Sequence, residues 1–463
     1  MRSHSLHFVL ALLAVAALFD RPVAAQTVSA QSEAMHVAPG QPAPSAPQAS
    51  AAPQGVQTLT LQDAEKIALQ NHPQVQAAGY LALAAQSRVG EAKAAYFPLA
   101  FGSVTGAYAE NTSRIAAGAL NNPIVFNRFA YGFTVSQLVT DFGRTHELVQ
   151  SSKYAAKAEQ ANVTLSRADV LLGVDQAYYG VLRAQAVLHV AQQTVKARQL
   201  VSDQITTLEK NKLKSGLDVS FANVDLSQAQ LLQIQAQNDL DASIADLSAA
   251  LGYSEQHTFT LANPIPSNPE PPSADFATIL QTAIQNRPEL IGQRFELQSA
   301  QSFAKAERDL WFPTLSAIGT AGLVPFRTDN LISPRYAAGG FNLNIPIFNG
   351  HLFGSLRSEA EARASAQQQY VRDLQNRITR DVRTAWLNAN SAFQRLSVTE
   401  QFLAEARQAY DLAQARYKLG LSSIIELSQA QLNETQAQIA EASAKYDYQV
   451  QTSVLNFQMG LLH

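Results

Sequence analysis

The sequence predicts a mainly α-helical chain with a membrane β part, built from a helix-strand-strand-helix unit that occurs twice. Three observations carry this reading. Asn71-His72-Pro73 followed by Tyr96-Phe97-Pro98 returns as Asn286-Arg287-Pro288 followed by Trp311-Phe312-Pro313, both at an offset of 215 (286 − 71 and 311 − 96). Short segments of alternating hydrophobicity follow each Phe-Pro, as strands require. Beyond them lie proline-free stretches with coiled-coil spacing, too long for an ordinary globule. Asp225-Leu-Ser-Gln-Ala-Gln230 also returns as Glu426-Leu-Ser-Gln-Ala-Gln431, here at an offset of 201 (426 − 225), so residues were gained or lost between the copies.

In chain order, residues 1–25 read as a secretory signal: Arg2 is basic, Phe8 to Phe19 is unbroken apolar sequence, and Val23-Ala24-Ala25 precedes Gln26 as a small-residue cleavage pattern. That run of 12 residues is too short to span a bilayer, and no other stretch reaches the roughly 20 apolar residues of a transmembrane helix. Any membrane insertion is therefore by strands. Residues 26–57, rich in Pro, Ala, Gln and Ser without apolar periodicity, read as a disordered leader. The first copy is assigned to 58–262 and the second to 275–463, with the proline cluster from Pro264 to Pro272 marking a linker at 263–274.

Each copy is expected to open with a helix, which in copy one runs from Leu61 to Ala95 with Thr60 as N-cap and Asp63 and Glu65 in its first turn. Phe97-Pro98 ends it, because the residue before a proline is pushed out of the helical region. The strands come next. Phe341, Leu343, Ile345 and Ile347 alternate with Asn342 and Asn344, and Tyr131, Phe133 and Val135 alternate with Gly132, Thr134 and Ser136. Their partners are about Leu99 to Glu110 and Thr314 to Val324, giving four strands of roughly the 9 to 11 residues that cross a membrane. Four strands cannot close a bacterial barrel, which starts at about eight, and open edges are not tolerated in hydrocarbon. Several chains must share one barrel.

The helices that follow are long. Phe142 to Lys210 holds no proline, which allows a rod of roughly 100 Å at 1.5 Å per residue. In copy two Val382, Ala389, Leu396, Leu403, Tyr410 and Tyr417 recur every seven residues, with Trp386 and Phe393 assigned to a second seam position. Copy one shows Val181, Leu188 and Val195 likewise. After a turn, Ile425, Leu432, Ile439 and Tyr446 keep the spacing, so the rods fold back as antiparallel pairs. Ala, Gln and Ser crowd the remaining faces, which suits a wall of helices better than a dimeric coiled coil with charged flanks.

Composition excludes several function classes. The chain has no cysteine, which removes disulfides, thiolate metal sites, cysteine nucleophiles and amino-terminal lipidation; a formal charge of −3 offers nothing to nucleic acid. The histidines outside the signal (His36, His72, His146, His189, His257, His351 and His463) lack metal-ligand spacing. Asp141-Phe142-Gly143 matches a kinase tripeptide without the loops that would give it meaning. No enzyme and no cofactor is expected. The candidate sites are instead two hairpin turns, Ser215-Gly216-Leu217-Asp218 and Leu419-Gly420-Leu421-Ser422, where glycine serves as a left-handed helix stop and a ring of turns would form a docking surface. Asp225 and Glu426 follow them in the repeated element. A ring of such carboxylates at a narrow mouth repels anions and favours cations.

Signal, duplicated units, Phe-Pro entries and Gly-Leu turns leading to Asp225 and Glu426 together resemble the TolC-like outer-membrane efflux proteins over residues 58 to 462. The resemblance implies a homotrimer in the outer membrane of a Gram-negative bacterium, reaching into the periplasm: a 12-stranded barrel continued by a long α-helical barrel. It implies an exit duct for tripartite efflux or type I secretion, with a periplasmic adaptor (membrane fusion) protein and an inner-membrane RND, ABC or MFS transporter as partners, besides outer-membrane lipid. By the same resemblance Gly216, Leu217, Gly420, Leu421 and Ser422 meet the adaptor. Glu426 lines the aperture, and Tyr417 is a gate tyrosine with Asp225 as its carboxylate partner. Ser422 stands where an arginine can brace the gate, and Gln429 where a second aperture acid can occur. From the residues alone, a periplasmic or surface coiled-coil scaffold without a pore is the alternative.

Overall fold

The structure, a computed structural model, describes residues 58–108, 127–263, 269–273, 275–327 and 333–462. The expected signal, the leader and part of the proline linker lie outside these.

A short strand β1 (Thr58–Leu59) leads into α1 (Leu61–Asn71) and α2 (Pro73–Ala94). Thr60 is the N-cap, and its hydroxyl accepts from the Asp63 amide. The single helix expected from Leu61 to Ala95 is therefore two. Pro73 has no amide proton for a continuing helix and holds His72 extended (φ −68°, ψ 123°), and the same break falls at Arg287 before Pro288 (φ −66°, ψ 117°). Strands β2 (Leu99–Ala107) and β3 (Arg128–Thr140) follow, then α3 (Arg144–Lys210), α4 (Gly216–Ala250) and β4 (Thr260–Leu261). Copy two gives α5 (Phe276–Asn286), α6 (Pro288–Arg308), β5 (Thr314–Arg327), β6 (Arg335–Asn344), α7 (Leu352–Lys418) and α8 (Ile424–Gln458). β6 stops short of the expected Ile345 and Ile347 because Pro346 cannot donate to a ladder.

α3 and α7 each have 67 residues and α4 and α8 each 35, in register at an offset of 208 (352 − 144 and 424 − 216). The opening helices and first strands keep the offset of 215, as Pro288 and Thr314 do relative to Pro73 and Leu99. The copies thus lose seven residues of register between their paired strands, where β2 and β3 are joined by a longer connection than β5 and β6.

The four long strands form one antiparallel sheet in the order β2-β3-β5-β6. Residues directly opposite share a face, and the register Tyr131↔Val104, Tyr131↔Leu323, Ala317↔Phe341 and Leu315↔Leu343 places Val104, Tyr131, Phe133, Val135, Leu323, Phe341 and Leu343 on one side, whereas Leu99 and Phe101 of β2 and Ile318 of β5 fall on the other. The other side carries Ser103, Thr134, Ser136, Thr320 and Asn342, with Tyr336 lying across Gly132 and Gly322, where any Cβ would collide with its ring or hydroxyl. β2 and β6 each pair on one side only.

Below the sheet the packing order of helices is α2, α3, α6, α7, and further along it is α4, α3, α8, α7. The seam of α7 has a different second position from the one expected. Ala385, Ala392, Ala406 and Ala413 are buried there, whereas Trp386 and Phe393 turn one residue further, Trp386 against Phe276 of α5 with its Nε1 donating to Ser273 O at 2.8 Å, and Phe393 against Tyr448 of α8. Alanine lets the backbones approach closely; the aromatics cover what lies outside. On α8 the expected seam fails near the turn, since Ile425 and Leu432 are 60% and 44% exposed while Ile424, Leu427 and Gln431 are buried. The outer layer consists of α1 and α5 with the β1–β4 pair. Ala64 and Ala68 of α1 pack on Val174 and Tyr178 of α3, and Tyr178 Oη donates to the Leu59 and Ala262 carbonyls at 2.9 and 2.6 Å, tying both ends of copy one to the wall. Asp141-Phe142-Gly143 is the strand-to-helix turn, with Asp141 Oδ2 accepting from the Thr145 amide at 2.7 Å.

Candidate functional site

The two hairpin turns end α3 and α7 in the same way. After α3, Lys212 is left-handed (φ 59°) and the Leu213 amide donates to Leu208 O at 2.9 Å; after α7, Gly420 is left-handed (φ 74°) and the Leu421 amide donates to Arg416 O at 2.8 Å. Both are six-to-one closures that satisfy a carbonyl left over at the helix end. The expectation that Gly216 plays this part in the first turn is corrected. Gly216 is the first residue of α4, behind the N-cap Ser215, and Lys212 takes the left-handed conformation.

This shifts the equivalence of the acids. Counting from the left-handed residue, Asp218 follows Lys212 by six and Glu426 follows Gly420 by six, so at the 208 offset Asp218 matches Glu426, and Asp225 matches Asn433. The sequence pairing of Asp225 with Glu426 was seven residues, one heptad, out of register. A slip of one heptad keeps every residue on the same helix face, which is why the repeated Leu-Ser-Gln-Ala-Gln element misleads.

Serine caps both second helices. Ser215 and Asp218 form a reciprocal capping box, with Asp218 Oδ2 accepting from the Ser215 amide at 3.0 Å. Ser423 accepts from the Glu426 amide at 3.3 Å, but the Glu426 carboxylate turns instead to Arg416 Nε at 3.3 Å. Gln429 is exposed and donates to Asn433 Oδ1 at 3.0 Å. Leu217, Leu421 and Gly420 are at the surface of the turns, and the Ser422 hydroxyl is buried without a partner.

Tyr417 lies where the hairpins meet, in a cluster with Ile205, Ala222, Ala413, Ile424 and Leu427. Its hydroxyl is buried and has no hydrogen-bond partner, while Lys214 Nζ sits 3.9 Å from the ring centroid. Burial, and then the charge of Asp218, push the phenol pKa up. Asp225, the partner expected for Tyr417, is engaged elsewhere: its Oδ2 accepts from Ser428 Oγ at 2.5 Å, bridging α4 and α8. The acid acting on Tyr417 is Asp218.

Further from the turns, Arg198 occupies a buried seam position of α3 equivalent to Ala406 of α7 at the 208 offset, with one guanidinium nitrogen unpartnered. Burial drives its pKa down, opposed by Asp225 of α4, Tyr410 of α7 and Glu434 of α8. Next to it, Ser202 Oγ donates to Asn223 Oδ1 at 2.7 Å. Sequence reasoning missed Lys214 and Arg198, and it named Asp218 only as part of its turn, not as the acid beside Tyr417. The Ser215-x-x-Asp218 spacing, a capping box ahead of a heptad run, was the signal available for Asp218. Among the described residues no group of three or more His, Asp or Glu stands together as a metal site, and no helix is long and apolar enough to cross a membrane.

Comparison with known proteins gives this geometry a context. A family model described as outer membrane efflux protein matches residues 66–253 and 279–460. The outer membrane protein TolC of Escherichia coli is 22% identical over 360 residues, 74% of this chain and 71% of that protein. Protein CyaE of Bordetella pertussis is 26% identical over 382 residues, 81% of this chain and 78% of that one. Among solved structures, CusC, studied for folding and transmembrane channel formation, superposes with a TM-score of 0.75 over 86% of this chain and 92% of its own at 19% identity.

Proposed function

The chain belongs to the outer membrane efflux protein family, and from that premise we propose that it is a passive, homotrimeric exit duct, with its sheet in the outer membrane and its helices in the periplasm. The observation that carries this is a set of unfilled edges at three levels: β2 and β6 in the sheet, α2 and α7 below it, and α4 and α7 further along. At every level one edge comes from copy one and the other from copy two. Such an interface is head-to-tail, and repeating it closes a ring. α4 also carries an unpaired heptad stripe, Leu217, Val224 and Leu231, each more than half exposed in the single chain. Three copies give 12 strands, enough to close a barrel whose apolar face meets lipid.

The mouth of the duct is the ring of turns. Lys214 and Asp218 act on Tyr417 as the closing contacts of the gate, Arg416 holds Glu426 at the aperture, and Gly216, Leu217, Gly420, Leu421 and Ser422 belong to the surface that a periplasmic adaptor engages on behalf of an inner-membrane transporter. TolC and an export protein such as the pyoverdine export protein OpmQ of Pseudomonas aeruginosa are relatives of the kind this role requires. The test uses the absence of native cysteine. Chains carrying one cysteine in β2 and another in β6 should cross-link head to tail into a species of three times the monomer mass in detergent. A monomer in detergent, with no cross-linking at any β2–β6 combination, would rule the duct out. In lipid bilayers Glu426→Ala should raise conductance or weaken cation preference; an unchanged single-channel record would remove Glu426 from the aperture.

A further inference from the structure

Between the sheet and the outer layer, α2 and α3 leave a cleft of about 630 Å³ along the wall. Its polar lining is Gln86 and Lys93 of α2 with Gln150, Lys153, Lys157 and Gln160 of α3: three cations, three amides and no carboxylate. Lys93 and Lys153 have no hydrogen-bond or ion-pair partner among the described residues, and Lys153 is half-buried. Lys157 Nζ lies 5.5 and 5.4 Å from the ring centroids of Tyr154 and Phe295. Glu91, Glu147 and Glu159 belong to the same stretches of α2 and α3 but line none of it, and Glu159 accepts from Asn162 Nδ2 at 3.2 Å. A cleft walled by one sign of charge concentrates counter-ions of the other.

The cleft opens on the outer side of the wall. Lys153 and Gln160 stand three and two heptads before Val174 (174 − 153 = 21 and 174 − 160 = 14), the α3 residue on which α1 packs, so they share its face. A neighbour in the ring leaves it open. α6 packs on α3 through Gly292, Phe295 and Ser299, which at the offset of 215 correspond to Ala77, Tyr80 and Ala84 of α2, the face that the next chain's α7 would take. None of these lines the cleft, and Glu91, one heptad after Ala84, belongs to that covered face. Copy two lacks the chemistry. There Lys93 becomes Arg308, which is bound to Asp309 at 2.9 Å, and Lys153 and Lys157 become Glu361 and Ser365, with Glu361 paired to Arg357 at 2.7 Å.

The upper end of the cleft meets the sheet. Lys93 is six residues before Leu99, and between them stand Tyr96 and Phe97, with Trp311 and Phe312 at the equivalent place of copy two, each about half exposed or more. Aromatic side chains at that level mark the boundary between hydrocarbon and headgroups.

Resting on the duct reading, which puts the sheet in the outer membrane, we propose that this cleft holds the phosphate headgroup of an anionic phospholipid of the inner leaflet. Lys93 and Lys153 take the phosphate, and the three glutamine amides take its ester and glycerol oxygens. Both ammonium groups sit on long stems, so they reach the headgroup layer while the cleft lies below it. A ring of three chains carries one such site per chain.

The test uses the full-length protein in a neutral detergent, loaded with dioleoyl phosphatidylglycerol or dioleoyl phosphatidylcholine and read by native mass spectrometry. One phosphatidylglycerol per chain should survive delipidation, with retention about tenfold above that of phosphatidylcholine. Lys93→Glu with Lys153→Glu should abolish that excess, Lys93→Arg with Lys153→Arg should keep it, and Lys418→Glu at the turn after α7 should leave it unchanged. Equal retention of the two lipids, or an excess that survives the double Glu variant, overturns the proposal. Inorganic phosphate in large excess should leave the lipid in place. Displacement, or phosphate binding with the same lysine dependence and no lipid preference, moves the site to a free anion and overturns the lipid assignment. Trimer mass and single-channel conductance of the double Glu variant should match those of the unaltered protein. A trimer without lipid preference sinks the cleft alone, whereas a monomer sinks the duct and the cleft with it.

Discussion

The turn after α3 and the turn after α7 close through the same backbone hydrogen bonds, yet the left-handed residue is Lys212 in one and Gly420 in the other, and the residue three before the apex is Glu209 in one and Tyr417 in the other. The outer layer repeats the lesson. Where α1 meets α3, Glu65 faces the buried Asp175; at the equivalent positions of copy two, by the offsets of 215 and 208, stand Leu280 and Arg383, with Arg383 stacked on Phe276 and Trp386. Backbone length and seam spacing were held in common by both copies, because each must fill the same place in a wall. The polar chemistry at the seams and turns was free to differ, and the candidate gate is built from those differences.

Truncating the two equivalent residues at the turns is the strongest way to break this comparison. Tyr417→Ala should cost about 3–5 kcal/mol, as large aromatic truncations in a packed cluster do, while Glu209→Ala should stay within about 0.5 kcal/mol. Urea unfolding of the helical part measures both, and equal costs would show that the two turns are energetically alike.

The outer layer offers the next largest difference, through pH. Burial first, and then the neighbouring Asp175, raise the Glu65 pKa to about 7, and burial raises that of Asp175 as well. Between the unfolded carboxylate range and about pH 7 the folded chain therefore binds more protons than the unfolded one, so stability falls as pH rises through that window and levels off above it. Allowing for partial solvent screening, the loss is about 1–2 kcal/mol. Melting temperature between pH 5 and 8.5 should show the slope, Glu65→Gln should flatten it, and hydrogen exchange should confine it to α1 and leave α5 unaffected. The facing groups are Asp175, Tyr178 and Tyr179 of α3, with Ser453 of α8 the neutral partner of Asp175.

Smaller effects sharpen the comparison at the apex itself. Gly420→Lys should destabilise by about 1 kcal/mol and Lys212→Gly should recover a similar amount, since only the residue with a Cβ is strained there. Smallest is the difference between the caps. Ser215→Ala loses the hydroxyl that accepts from the Asp218 amide and donates to its carboxylate and should cost about 1 kcal/mol, whereas Ser423→Ala, whose acid already belongs to Arg416, should cost about half of that. Helix-resolved hydrogen exchange separates the two.

Much of the fold was legible in the residues because its constraints are periodic. Period 2 marked the strands, the spacing of seven marked the long helices, and Asn-x-Pro with Phe-Pro marked the duplication. The strand face is a case where alternation sufficed: once antiparallel pairing fixes register, Tyr131, Phe133, Phe341 and Leu343 fall on one side. The site was less legible. A heptad repeats its own face, so sequence likeness matched Asp225 to Glu426 one heptad out of place. Nor could spacing tell whether Trp386 or Ala385 fills the seam, since both are near-neighbours on the same arc of the helix.

By itself, then, the sequence determined which segments are helix and strand, that they come in two copies, and that four strands leave a sheet unfinished, because these follow from local periodicity and backbone hydrogen bonding. Only the tertiary structure decided that Lys212 is the left-handed residue, that Asp218 and Lys214 are the groups acting on Tyr417, and that Asp225 belongs to Ser428 and Arg198. Those contacts join helices far apart along the chain, and the phase in which two long helices pack is set by side-chain fit across the whole wall, which no local pattern encodes.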